Sequence, residues 1–204
     1  MKKMIAFFSE MNLPNKLTML RVALVPVYLL LLALGLDWLA LIAFVAASLT
    51  DLFDGRIARK YNLITNFGKF MDPIADKLLT HTAFIMLCAM GRLNVAACII
   101  FIAREFVVSG LRLVAVEQGH VIAAGMSGKI KTVLQMALAI TLTILPEVRR
   151  ILLILPVIGT TIGSVIGAVL GSASVLLMLA AAAMTLYSMV EYVWQNRAVL
   201  GGAK

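Results

Sequence analysis

Four of the chain's ten acidic residues, Asp51, Asp54, Asp72 and Asp76, fall within 26 consecutive positions. The stretch reads Asp51-Leu-Phe-Asp54-Gly55-Arg56-Ile-Ala58-Arg59, then eight residues, then Gly68-Lys-Phe-Met-Asp72-Pro-Ile-Ala-Asp76. On helices, Asp51 and Asp54 are three apart and share a face; Asp72 and Asp76, four apart, do the same. A short link through 61–67 makes the two helices antiparallel neighbours, so all four carboxylates can converge at one end of the pair. Such a group is costly in an apolar setting: a charge at a bilayer centre costs roughly 2.5–3.5 kcal/mol, against about 0.3–0.6 kcal/mol returned per apolar side chain. The aspartates must therefore line a polar cavity, and something cationic must sit among them. Hard oxygen ligands in this number suit Mg²⁺, Mn²⁺ or Ca²⁺, and two ions fit a phosphoryl-transfer site. The same spacing also fits ion pairs with Arg56, Arg59, Lys69 or Lys77, and it fits a cation-transport pathway; spacing alone leaves these open. Gly55, Ala58 and Gly68 leave room for a flat, bulky group against the backbone, or for close helix packing. Arg59 offers a planar fork suited to phosphate oxygens.

The elements that must carry this group are greasy helices. Of the 204 residues, 62% are hydrophobic and 14% charged, and the mean hydropathy is +1.02. A soluble domain is nearer half apolar with about 25% charge, so the surplus needs lipid to cover it. The net charge of +8 belongs with basic residues flanking membrane spans; aromatics are not interleaved with them as stacking on bases requires, so nucleic acid is not a partner. Cys88 and Cys98 lie in apolar runs without a CxxC or CxH neighbour and read as packing residues. No cleavable signal peptide is apparent. Met1–Asn12 is short and amphipathic and reads as an interfacial helix.

Six apolar segments follow, at about 19–35, 38–60, 69–90, 95–117, 128–146 and 174–194, with turns rich in Gly, Asn and Asp between the first five. The fold class is therefore all-α: a single domain over 1–204, a polytopic membrane bundle of six transmembrane helices plus the interfacial helix. The segment 151–170 is apolar enough for a seventh span, but Pro156 and Gly159, Gly163, Gly167 and Gly171 predict a broken or interfacial piece. With six spans both termini share a side. Lys2, Lys3, Lys16, Arg21, Lys60, Lys69, Lys129, Lys131, Arg197 and Lys204 then fall on or near it, making it cytoplasmic. Arg92 and the pair Arg149-Arg150 fall on the other side.

The pattern D-x2-D-G-x2-A-R-x8-G-x3-D-x3-D resembles the signature of the CDP-alcohol phosphotransferase family, and Asp51, Asp54, Gly55, Ala58, Arg59, Gly68, Asp72 and Asp76 match its fixed positions. The resemblance implies an enzyme that displaces CMP from a CDP-linked donor with an alcohol. It implies Asp51, Asp54, Asp72 and Asp76 as ligands of Mg²⁺ or Mn²⁺, with two ions. Asp76 would double as the base that takes the alcohol's proton. Gly55, Ala58, Arg59 and Gly68 would accommodate the nucleotide, with Asn15 and Thr18 beside it. Three further stretches, 12–21, 104–112 and 127–132, resemble family members that use glycerol 3-phosphate as acceptor and CDP-diacylglycerol as donor. Their physical reading agrees. Arg104 and Glu105 lie mid-span and should face the bundle interior. Glu105, Ser109 and Arg112 share a face, and Arg112, Lys129 and Lys131 can form a basic pocket that a phosphate-bearing acceptor needs and a neutral one does not. Arg104, Arg112, Lys129 and Lys131 are the expected acceptor-phosphate residues. An Arg104–Glu105 structural pair with lysines at lipid headgroups is the plainer alternative. Other acceptors (phosphatidylglycerol, inositol phosphate, serine) keep the same chemistry, and a divalent-cation transporter is the rival of another class. The family further implies a homodimer in the bacterial inner membrane, with its site facing the cytoplasm.

Overall fold

The structure, a computed structural model, describes residues 11–60, 65–120, 122–123, 125–154, 160–197 and 199; the side chains of 51–60, 69 and 160 lie outside that description. It is all-α among the described residues, with helices α1 (Leu13–Ala33), α2 (Asp37–Lys60), α3 (Asn66–Ala89), α4 (Val95–Glu117), α5 (Met126–Ile154) and α6 (Thr160–Gln195). Two of them, Leu13–Ala33 and Thr161–Gln195, are long and apolar enough to cross a membrane, and Asp37–Thr50 is a shorter apolar piece. Large apolar side chains lie bare on every helix from α1 to α6, among them Leu30 (60% exposed), Phe106 (70%) and Leu176 (67%). Lipid covering that surface is what its extent calls for.

Helix α1 starts six residues ahead of the apolar run at Met19, and the reason is local. Asn12 is extended, and its side chain accepts the Asn15 backbone N–H at 3.1 Å. Pro14 follows in the first turn, where a missing N–H costs nothing. Asn12 is thus a cap, and neither it nor Met11 is helical; residues 1–10 of that expected helix lie outside the described residues. Helix α1 ends at a turn in which Gly35 takes φ +71°, a conformation open to glycine.

The chain divides into two compact units, Met1–Met86 and Leu87–Lys204. In the first, α1 lies along α2. The buried positions of α1 recur at helical spacing: Asn15, Thr18 and Arg21 near its start, then Val25, Tyr28 and Leu32. The apolar half packs on Ala40, Ala43, Phe44 and Ala47 of α2, with the Tyr28 and Phe44 rings 5.3 Å apart. The polar half is buried too, and it marks the site.

In the second unit α6 packs along both α4 and α5. Val108, Leu111 and Tyr192 form a core with Ile122, Val193 and Val199 around it, and Gln135 of α5 donates to Thr185 of α6 at 3.1 Å. Of the residues expected to break the segment 151–170, Pro156 and Gly159 lie outside the described residues, between the end of α5 at Ile154 and the start of α6 at Thr160; Gly163, Gly167 and Gly171 lie inside α6, which runs on for 36 residues. They let α5 come close. A Cβ on Gly163 would lie 2.5 Å from the Leu152 carbonyl oxygen, and one on Gly167 3.6 Å from the Arg149 Cγ. Spaced four apart, these glycines form a smooth track for a neighbouring backbone. Cys88 and Cys98 are free thiols, Cys98 buried.

Candidate active site

Within the first unit, the polar half of α1 meets the start of α3. The Thr65 hydroxyl donates to Asn15 Oδ1 at 3.0 Å and accepts the Gly68 backbone N–H at 3.0 Å. Thr65 therefore caps α3 while tethering it to α1. One turn on, the Thr18 hydroxyl lies 2.8 Å from Asp72 Oδ1 and 3.1 Å from the Pro14 carbonyl. It has one proton, and the charged acceptor makes the stronger bond. Thr18 is fully buried and Asn15 nearly so, so Asp72 is held from a rigid wall. Arg21, one turn further along α1, is fully buried as well.

Gly68 sits at the centre of this group. A Cβ there would lie 2.9 Å from Asn15 Oδ1, 3.3 Å from Thr65 Oγ1 and 3.6 Å from Asp72 Oδ2. The missing side chain lets three oxygens come close to the α3 backbone, one of them the carboxylate oxygen that does not face Thr18. Hard oxygens of this kind are the ligand type that a divalent cation takes. Asp76 lies one turn beyond Asp72 on α3 and is exposed. Four expected residues are thus brought together by two sets of hydrogen bonds, Asn15 and Gly68 through Thr65, and Thr18 with Asp72. Asp51, Asp54, Gly55, Ala58 and Arg59 are on α2 near its C-terminal end, but their side chains lie outside the described residues. Among the described residues no three acidic, histidine or cysteine side chains form a metal-sized cluster.

The second unit holds the other expected set. Arg104 is buried, donating through Nη1 to Glu105 Oε1 at 2.8 Å and through Nε to Ser188 Oγ of α6 at 3.2 Å. Lys131 of α5, also buried, is ion-paired with the same Glu105 oxygen. Two cations share one carboxylate, so the cluster keeps one net positive charge. Gly128 makes room for it: a Cβ there would lie 3.2 Å from Arg104 Nη2. Two turns along α4, Arg112 donates to the Tyr192 hydroxyl at 3.0 Å and lies over the Tyr192 ring, 5.5 Å from its centroid. Lys129 is exposed and, among the described residues, is not joined to this cluster. The surplus positive charge beside the Ser188 and Tyr192 hydroxyls is the chemistry that an anion calls for.

Sequence reasoning missed Thr65, Ser188 and Tyr192, and did not pair Lys131 with Glu105. Thr65 carried a signal, being a hydroxyl three residues before Gly68 at a helix start. Ser188 and Tyr192 are four apart in an apolar run and carried none.

Residues 11–195 match a family described as CDP-alcohol phosphatidyltransferase. The chain is 46% identical over 136 residues to a Bacillus subtilis (strain 168) protein named CDP-diacylglycerol–glycerol-3-phosphate 3-phosphatidyltransferase, over 59% of this chain and 70% of that one. A Rickettsia prowazekii (strain Madrid E) protein of the same name is 42% identical over 75% of this chain and 86% of its own. An Escherichia coli (strain K12) protein of that name is 32% identical over 94% of this chain and 98% of its own.

Proposed function

The chain belongs to the CDP-alcohol phosphatidyltransferase family, and from that premise we propose how its residues carry the reaction. The enzyme transfers a phosphatidyl group from CDP-diacylglycerol to glycerol 3-phosphate, giving phosphatidylglycerophosphate and CMP. The observation that carries the residue-level account is the group around Gly68: a glycine closely approached by oxygens of Asn15, Thr65 and an Asp72 oriented by Thr18.

Asp51, Asp54, Asp72 and Asp76 would hold divalent metal, two Mg²⁺ or Mn²⁺ ions. Bound metal neutralises the donor diphosphate and the charge that builds on the departing CMP. Gly55, Ala58 and Gly68 leave room for the nucleotide, with Asn15 and Thr18 beside it and Arg59 on its phosphates. Asp76 takes the proton from a hydroxyl of glycerol 3-phosphate. That oxygen forms a bond to the lipid-bearing phosphorus, the bond from this phosphorus to the bridging diphosphate oxygen breaks, and the pair leaves with CMP. Arg104, Arg112, Lys129 and Lys131 receive the acceptor's own phosphate. The net positive charge around Glu105 supports that role, and it gives a neutral acceptor such as serine no advantage. A groove of about 430 Å³ along α1, lined by Lys16, Met19, Leu20, Val22 and Ala23, suits an acyl chain of the donor.

All six helices have at least 21 residues, and about 20 span a bilayer. We therefore read six spans in one domain, an interfacial N-terminal helix, and a homodimer in the bacterial inner membrane with the site facing the cytoplasm. The test is CMP release by purified protein given CDP-diacylglycerol, Mg²⁺ and a panel of alcohols. Glycerol 3-phosphate should be required, and Asp76→Asn should abolish turnover while keeping CDP-lipid binding. Release driven equally by serine or inositol phosphate would overturn the acceptor assignment. Loss of CDP-lipid binding in Asp76→Asn would overturn the base role.

A further inference from the structure

The second unit contains a cavity of about 660 Å³ far from the Glu105 cluster. It is lined by Arg92 in the turn before α4, by Leu142, Leu145 and Arg149 in the second half of α5, and by Ser172 and Val175 of α6. Each helix separates it from the cluster by many residues: Lys131 from Leu145, Val175 from Tyr192, Arg92 from Arg104. At about 1.5 Å per residue these gaps come to roughly 20 Å.

Two guanidinium groups line this space, and no carboxylate is among the described residues lining it. The nearest acid in sequence, Glu147, pairs with Arg150 at 3.8 Å instead. Arg92 donates through Nη1 to the Thr143 carbonyl at 3.1 Å, and Arg149 through Nε to the Gly167 carbonyl at 3.2 Å. Both bonds hold the guanidinium groups against neighbouring backbone. Among the described residues no hydrogen bond or ion pair engages the terminal amino groups of Arg149. Gly171 keeps them in place, since any side chain there would overlap that guanidinium. Two like charges lining one cavity repel each other and favour an anion in the space they share. Guanidinium forks match phosphate oxygens, and the volume lies within the ~300–1,000 Å³ of small-molecule sites. Leu142, Leu145 and Val175 beside the arginines suit hydrocarbon. A cationic floor with an apolar wall is the complement of an amphiphile whose head is a phosphate.

We infer that this cavity binds the phosphate headgroup of an anionic phospholipid, at the end of the unit opposite Arg112 and Lys131. The test is native mass spectrometry of purified protein offered phosphatidylglycerol and phosphatidylcholine together, with thermal unfolding alongside. The wild type should retain one anionic lipid with about tenfold preference, the factor set by one charge-assisted contact of ~1.4 kcal/mol. Arg149→Gln should lose that preference, as should Ser172→Leu, which narrows the cavity with an apolar side chain and leaves both arginines intact. Arg112→Gln should keep it, separating this site from the acceptor cluster. Equal retention of the two lipids by the wild type would overturn the proposal. So would undiminished preference in Ser172→Leu, or stabilisation by inorganic phosphate matching that by the lipid.

Discussion

Replacing Glu105 by Gln removes one negative charge from between two buried cations. Arg104 is 8% and Lys131 3% exposed, and both meet the same carboxylate oxygen. The amide is almost isosteric, so packing is preserved and the electrostatic loss is isolated. Breaking a buried ion pair costs about 3–5 kcal/mol. Glu105 has a side chain 19% exposed, which admits some water, so the lower end applies, about 3 kcal/mol. For a chain of this size, ~2–4 °C per kcal/mol makes that a fall of about 6–12 °C in Tm, read by thermal unfolding of detergent-purified protein. Lys131→Met alone should cost less, because Arg104 still satisfies the carboxylate. The double variant should be more stable than the sum of the two losses implies, with a coupling of about 1–3 kcal/mol. A Tm change below about 2 °C in Glu105→Gln, or strict additivity, would refute the reasoning that this carboxylate neutralises two charges at once.

Three further outcomes follow from the geometry. Thr18→Val keeps the shape but removes the hydroxyl 2.8 Å from Asp72; a hydrogen bond to a charged group is worth about 1.5–3 kcal/mol, and the Mg²⁺ concentration for half-maximal CMP release should rise, read by metal titration. Gly68→Ala places a methyl 2.9 Å from Asn15 Oδ1, so CMP release should fall about tenfold or more while Tm, measured in parallel, changes little. Gly163→Ala drives a methyl to 2.5 Å from a backbone oxygen that cannot swing aside, and the resulting overpacking should cost about 1–3 kcal/mol, seen as a lower Tm with the reaction's KM values unchanged.

Much of the helix layout is legible in the sequence because lipid-facing runs are long and the turns between them carry Gly, Asn or Asp. The departures have physical causes. Helix α1 begins early because Asn12 and Pro14 supply a start signal that hydropathy does not register. Helix α6 begins at Thr160 instead of near Ser174 because glycine, a helix breaker in water, is a contact residue where another backbone must approach, as Leu152 approaches Gly163. In the candidate site, the aspartate spacing pointed to α2 and α3, and Asn15 and Thr18 came from resemblance; the hydrogen bond from Thr18 to Asp72 spans 54 residues, a distance no local pattern encodes. The Arg104–Glu105 pair is legible as neighbours. That Lys131 joins it from 26 residues away, and that Tyr192 meets Arg112 from 80 away, follow only from how α4, α5 and α6 pack.

The arrangement around Glu105 also bears on how the chain is made. A ribosome delivers α4 before α5, and an arginine in transit through the insertion machinery is expensive without a counter-charge. Arg104 brings its own, one residue away on the same helix, so in the six-span arrangement proposed above α4 would enter lipid as a nearly neutral rod. Lys131 emerges later and finds a carboxylate already seated, which gives the incoming helix a docking point before its apolar face has any partner to press against.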